Sequence, residues 1–184
     1  MHETAMAFAC SVLSQEVVVG KIILEVGSYN VNGSVRPIIV AHKPARYIGV
    51  DFSAQDGFVD FVLPAEKLVQ RFGEGVFDIV VSTEMLEHAE HWKIVIDQMK
   101  RVLRFGGLMV VTCRGPGVPW HGFPDDFWRF TTEDFIKIFA DFDVEKLLPD
   151  PMPGVLFSGR RSNRPQVDLT DISVGLAPPR PNDA

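Results

Sequence analysis

Apolar residues along this chain fall in short, nearly unbroken runs. Lys21 to Val26, Tyr47 to Val50, Phe77 to Val81 and Leu108 to Cys113 are such runs, with little alternation inside them. Strands written this way are covered on both faces, as in a parallel sheet sandwiched between helices. Val59 to Leu63 is a weaker fifth run, and Asp143 to Leu148 and Val155 to Ser158 are expected to be the final strands. Between the runs the period changes. Trp92, Val95, Ile96, Met99 and Leu103 repeat at helical spacing, with Gly106-Gly107 as the expected stop. Phe135, Ile138, Phe139 and Phe142 form a second stripe. Thr131 caps it, Asp134 completes a capping box and Phe130 can staple to Phe135. Pro64 suits the first turn of a short helix over Ala65 to Leu68. Ser34 to Ala41 is the poorest helix candidate, because Pro37 and β-branched residues disfavour it. Strand and helix alternate, which predicts an open, mostly parallel α/β sheet. Residues 1–160 are expected to form one domain. Residues 161–184 contain Arg164-Pro165, Pro178-Pro179 and Pro181 but no aromatic residue, and are expected to be disordered or loosely draped.

Composition narrows the picture in a few respects. The 184 residues suffice for one domain with a core. Twenty-four acids against 18 bases give a net charge of −6, so no general attraction to nucleic acid or an anionic membrane is expected. Cys10 and Cys113 stand far apart without CxxC spacing, which suits a reducing cytoplasm. The N-terminus lacks the positive start of a signal peptide, the Ala5 to Leu13 stretch is short and weakly apolar, and no run approaches the ~18 apolar residues of a membrane span. Oligomeric state is not encoded in any of these features.

In open parallel sheets, ligands sit outside the carboxyl ends of the strands. The first strand ends Glu25-Val26-Gly27, followed by the polar loop Ser28-Tyr29-Asn30-Val31-Asn32-Gly33-Ser34. Glycine lets backbone approach a ligand closely. Glu25 would repel a diphosphate and attract an ammonium group. The second run ends in Asp51, which can accept hydrogen bonds from both hydroxyls of a ribose. A nicotinamide or flavin site wants small residues where Tyr29 and Val31 stand, so hydride transfer is disfavoured. A nucleoside carrying a cation, as S-adenosylmethionine does, suits the pattern.

Four motifs in order carry a family resemblance. Leu24-Glu25-Val26-Gly27-Ser28, Tyr47-Ile48-Gly49-Val50-Asp51, Phe77-Asp78-Ile79-Val80-Val81 with Leu86-Glu87-His88, and Arg101-Val102-Leu103-Arg104-Phe105-Gly106-Gly107 resemble the successive motifs of class I S-adenosylmethionine-dependent methyltransferases. They cover most of residues 20 to 160. The resemblance implies a three-layer, Rossmann-like, seven-stranded sheet, mostly parallel, with a reversed last strand. It implies that Glu25, Gly27, Ser28, Tyr29, Asn32 and Gly33 wrap the methionine part of the cofactor. Asp51, with Phe52 beside it, would hold the ribose, and Ala65 and Glu66 would lie beside the adenine. Thr83 and Glu84 would border the methyl group. Two departures stand out. Gly-Ser-Tyr-Asn-Val-Asn-Gly keeps only the first glycine of the usual loop, and Pro64 replaces an acid that often meets the adenine amine.

Methyl transfer from a sulfonium needs alignment and exclusion of water more than any obligatory side chain. His88 is a candidate base by its near-neutral pKa, or else a structural hydrogen-bonding group behind the pocket. His88 and His91 could share a helix face near Glu87, but a metal site needs a further convergent ligand, so no metal is expected. The segment Trp120-His121-Gly122-Phe123-Pro124-Asp125-Asp126-Phe127-Trp128-Arg129-Phe130 is too aromatic to be free in water. It reads either as a lid with His121 and Asp125 or Asp126 facing the methyl, or as a clasp with Arg129 paired to an acid and Trp128 in the core. Together with Arg-Phe-Thr it resembles a pattern in small bacterial methyltransferases of this class. Tyr29, Trp120 and Phe123 could offer ring faces to a sulfonium. Arg160, Arg161 and Arg164 read as a solvated cluster or as a site for an anionic acceptor. The expected function is methyl transfer to a small-molecule or saccharide-like acceptor; the alternative from another class is a non-catalytic binding module that keeps the fold.

Overall fold

The computed structural model describes residues 2–181. Its chain order is α1 (Glu3–Val12), α2 (Gln15–Val18), β1 (Ile22–Val26), α3 (Arg36–Ala41), β2 (Arg46–Asp51), β3 (Phe61–Val62), α4 (Leu68–Phe72), β4 (Phe77–Thr83), α5 (Trp92–Val102), β5 (Leu103–Arg114), β6 (Trp128–Arg129), α6 (Thr132–Ile138), β7 (Phe142–Asp150), β8 (Gly154–Arg161) and β9 (Gly175–Leu176). Single 3₁₀ turns at Ala65–Lys67 and Leu86–His88 precede α4 and α5. Seven strands form one sheet in the order β3-β2-β1-β4-β5-β8-β7, and β6 and β9 form a separate ribbon. β1 through β5 are mutually parallel, while β8 runs antiparallel to both its neighbours. This is the expected sheet with one reversed strand.

The unbroken apolar runs are explained by two cores. Leu24, Val80, Met109 and Val111 face α4, α5 and α6, where Trp92, Met99, Phe135 and Phe139 pack. Ile23, Ile79, Val81, Leu108 and Val110 face the other layer, where Phe8, Val18 and Ile39 pack. Adjacent residues on a strand point to opposite faces, so both must be apolar when both faces are covered. α6 begins with the expected capping box of Thr131 and Asp134, and the Phe130 and Phe135 rings meet edge-on at 5.9 Å.

Several local expectations need correction. Ala5 to Leu13 is not a nondescript stretch; it lies largely within α1, which buries Ala5, Phe8, Ala9 and Val12 on one side. Alanine contributes little hydrophobicity, so the stripe is faint in the sequence. The weak Ser34 to Ala41 segment does form a helix, with Pro37 in its first turn where no N–H is needed. Gly106-Gly107 does not stop α5. The helix ends at Val102 and β5 begins at once. Arg161 Nη1 donates to the carbonyls of Arg101 and Leu103 at this junction. Gly107 is needed because a Cβ there would lie 2.6 Å from Leu103 Cδ1 and 2.8 Å from Arg104 O.

The described part of the tail is not loose. Leu169 is 7% exposed against the α5 layer, with Val167, Ile172 and Val174 beside it. Lys93 Nζ donates to Thr170 O at 2.6 Å, and Leu176 pairs with Trp128 in the β6–β9 ribbon. Spaced aliphatic residues do the packing that no aromatic residue was present to advertise. Residues 182–184 of the expected tail lie outside the described residues. The basic cluster is likewise structural. Arg160 pairs with Glu145, Arg164 with Asp143, and Arg161 caps α5.

Candidate active site

The carboxyl ends of β1, β2 and β4 open onto one cleft, because parallel strands deliver their C-terminal loops to the same sheet edge. A cavity of about 380 Å³ is lined by Glu25, Gly27, Ser28, Tyr29, Asn32, Gly33, Asp51, Phe52, Thr83 and Glu84, with Met85, His88, Trp120, His121 and Phe123 opposite. A second cavity of about 240 Å³ is lined by Leu63, Pro64, Ala65, Glu66 and Val95. The two share Gly27, Asp51, Phe52, Met85 and His88, so they are lobes of one cleft. Every residue expected to bind the cofactor borders one lobe or both.

Gly27 sits at φ 82°, and a Cβ there would come within 2.5 Å of Met85 Cγ. Only glycine permits both the turn and the contact that narrows the cleft. The loop after β1 is pinned to β2: Gly27 N and Ser28 N donate to Val50 O, and Tyr29 N donates to Asp51 Oδ2 at 3.2 Å. Asp51 Oδ1 accepts from Ser53 N at 3.0 Å. Each Asp51 oxygen therefore keeps lone-pair capacity toward the cleft. Burial pushes the Asp51 carboxyl above its ordinary value, opposed by the amides of Ser53, Tyr29 and Phe52.

Glu25 is 2% exposed and, among the described residues, its Oε2 has no hydrogen-bond partner. Burial raises its pKa to about 8, against the pull of Arg36. Glu84 closes β4 at φ 53°, the left-handed region that non-glycine residues seldom occupy and that clusters at functional sites. Its carboxylate meets Arg114, a buried residue that also donates to Asp150 at 2.8 Å and to Met152 O at 3.0 Å. From the sequence, Arg114 has a place on this sheet edge, within Cys113 to Gly117, but no role. An arginine at the end of an apolar strand was the available signal.

The aromatic segment after β5 forms the far wall. Tyr29 and Phe123 rings meet at 5.4 Å, joining the β1 loop to this wall. Arg129 is 2% exposed and grips Asp126 with both terminal guanidinium nitrogens, at 2.5 and 2.6 Å. Trp128 Nε1 donates to Ala89 O, and Phe127 N donates to Glu87 O. The clasp and the wall are thus one device: the buried ion pair holds His121 and Phe123 over the cleft. Asp125 is not part of it. Its side chain is exposed and off the lining, and only its carbonyl is used, accepting from His88 Nδ1 at 2.6 Å. The buried acid is the next residue, Asp126, because Arg129 requires it. His91 is exposed at the start of α5 and is not part of the Glu87, His88 and His121 cluster. His121 instead comes to His88, with ring centroids 5.1 Å apart. The interaction with Glu87, foremost, pushes His121 above its ordinary value.

Residues 24–111 match the family model described as a methyltransferase domain. No curated protein matches the chain. Among solved structures, the chain resembles the 1,6-didemethyltoxoflavin-N1-methyltransferase of Burkholderia thailandensis, crystallised with 1,6-didemethyltoxoflavin and S-adenosylhomocysteine; identity is 15%, coverage 88% of this chain and 80% of that one, and the TM-score 0.67. It also resembles S-adenosylmethionine-dependent methyltransferases from Mesorhizobium loti (17% identity, 84% and 98% coverage, TM-score 0.62) and Aquifex aeolicus (12%, 85% and 89%, 0.57). The cleft fits that cofactor. An unpartnered buried carboxylate oxygen at Glu25 can take an ammonium group, and Asp51 has capacity for a ribose diol. With the sheet order and the reversed β8, these features give the chain the fold of the class I S-adenosylmethionine-dependent methyltransferases, with a methyltransferase-domain match over residues 24–111.

Proposed function

We propose that the protein transfers the methyl group of S-adenosylmethionine to a small-molecule acceptor held between the β4 end and the aromatic wall. The carrying observation is the convergence of Glu25, Gly27 and Asp51 on one two-lobed cleft, with His88 between the lobes and His121 in the lobe away from Ala65 and Glu66. Bound S-adenosylmethionine supplies a methyl group already activated by sulfonium charge. The protein's residues have the tasks of binding, orienting and drying. Glu25 holds the ammonium group and, in doing so, gives up its proton. Asp51 accepts from the ribose hydroxyls while bracing Tyr29. Ala65 and Glu66 border the base, where Pro64 offers no acid. Thr83 and Glu84 border the methyl side, and Arg114 fixes the Glu84 carboxylate in one direction. Tyr29, Trp120 and Phe123 exclude water and offer ring faces to positive charge. His88 and His121 face the acceptor, whereas Asp125 acts through its carbonyl alone.

Residues 1–160 carry this machinery in one domain, and the tail braces the wall from behind through Ala177 N to Phe127 O. A small acceptor is supported by the cleft volume of about 380 Å³, part of which the methionine moiety takes. The Burkholderia thailandensis methyltransferase of this fold was crystallised with 1,6-didemethyltoxoflavin bound. Saccharides and hydroxylated aromatics are the classes to try first. The test is release of S-adenosylhomocysteine on incubation with such a panel. Turnover above the acceptor-free rate with at least one compound is expected. Tight cofactor binding without turnover on any of them would instead favour a binding module.

A further inference from the structure

Behind the acceptor wall, Glu87 is fully buried and, among the described residues, neither of its carboxylate oxygens has a hydrogen-bond partner. A buried carboxylate in that position is costly unless a cation meets it. The nearest cation candidate is His121, whose Nε2 lies 3.9 Å from Glu87 Oε1, beyond hydrogen-bond range. The other ring nitrogens explain why. His121 Nδ1 lies 3.1 Å from Asp126 Oδ2 and 3.2 Å from Pro119 O, and His88 Nδ1 lies 2.6 Å from Asp125 O. All three partners only accept, so both Nδ1 atoms carry the proton and both Nε2 atoms can present lone pairs. One ligand atom from each of Glu87, His88 and His121 lies within 4.8 Å of the others.

We propose that Glu87, His88 and His121 bind a divalent first-row transition-metal ion on the acceptor side of the cleft. Two imidazoles and one carboxylate are the donor set that zinc, iron(II), cobalt(II) or manganese(II) accepts, with positions left open for another ligand. Each histidine has the outer partner that metal-bound imidazoles ordinarily have: a carbonyl for His88, a carboxylate for His121, itself held by Arg129. Donors bonded at 2.0–2.2 Å stand about 3.4 Å from one another, so the three groups close by roughly 1 Å around the ion. Glu87 gains its missing cation. The open positions face the cavity that His88 and His121 line, so the acceptor class is one with an oxygen or nitrogen donor. That last step rests on the methyl-transfer reading; the metal site itself does not.

The test is titration of chelator-treated, full-length protein with cobalt(II), read by visible d–d absorption, and with zinc(II), read by calorimetry. One equivalent of each should bind. Affinity should fall at least about 100-fold in Glu87→Gln, His88→Ala and His121→Ala, and stay unchanged in the exposed His91→Ala. Circular dichroism and thermal unfolding of the same variants show that they fold. S-adenosylhomocysteine titration of metal-free and zinc-loaded wild type separates the two readings, since either ligand can bind without the other. Were the variants insoluble, X-ray absorption of zinc-loaded wild type should show two imidazoles. Absence of stoichiometric binding, binding unaffected by the His88→Ala/His121→Ala pair, or a zinc shell without imidazole would each overturn the proposal.

Discussion

Glu25 shows how one side chain can be costly to the empty protein and useful to the loaded one. Its folded pKa of about 8 lies above the unfolded value of 4.5, so the folded state holds a proton that the unfolded state has lost across that window. Its contribution to stability is complete below the lower value and disappears as pH rises through about 8. Thermal unfolding followed from about pH 5 to about pH 9 should therefore show wild type losing stability, by up to a few kcal/mol, relative to Glu25→Gln. The same substitution removes the ammonium partner and should weaken cofactor binding at least about 10-fold. An identical pH slope in the two proteins would contradict the assignment of burial as the cause. The sign of Glu25's charge was readable from the sequence. Its burial was not, because that depends on Arg36 and on the loop after β1 folding back to β2.

At the scale of elements, the least visible join is between α5 and the α6–β7 turn. Lys100 is 0% exposed, and its Nζ donates to Asp141 Oδ1 at 2.7 Å and to Ile138 O at 2.6 Å. Burial pulls the lysine pKa down, and Asp141 holds it up. Lys100→Ala leaves Asp141 buried without a counter-charge and should cost about 3–5 kcal/mol by denaturant unfolding. The double variant Lys100→Met/Asp141→Leu should recover most of that. Equal losses in both would mean that packing volume, not charge, sets the cost. Nothing in the helical stripe of α5 announces this pair, since a lysine on a helix normally reads as a solvated residue. α1 was faint for a related reason: Ala5 and Ala9 contribute shape more than hydrophobicity. Strong signals were those with one physical meaning, such as the Thr131–Asp134 box. Gly106-Gly107 had two, and tertiary context selected the strand.

Over the whole molecule, the cofactor end of the cleft was legible because its residues follow strand ends, and parallel strands bring those ends together by rule. The acceptor end was legible only in part: its wall residues His88, Trp120, His121 and Phe123 were named, but not the meeting of His88 with His121. His88 and His121 stand 33 positions apart in the sequence, and only the buried Asp126–Arg129 pair brings them into one wall. Glu87 was visible as part of a motif, but its burial without a hydrogen-bond partner among the described residues is a property of the fold. The reading of the protein as a methyl-transfer enzyme stands on the cofactor end. Calorimetric titration of S-adenosylhomocysteine into wild type, Asp51→Ala and Asp51→Asn examines it most directly. Micromolar-scale binding by wild type is expected, about −8 kcal/mol, with Asp51→Ala abolishing it and Asp51→Asn, which can still brace Tyr29, retaining a weakened remnant. Undiminished binding by Asp51→Ala, or no binding by wild type, would contradict the assignment.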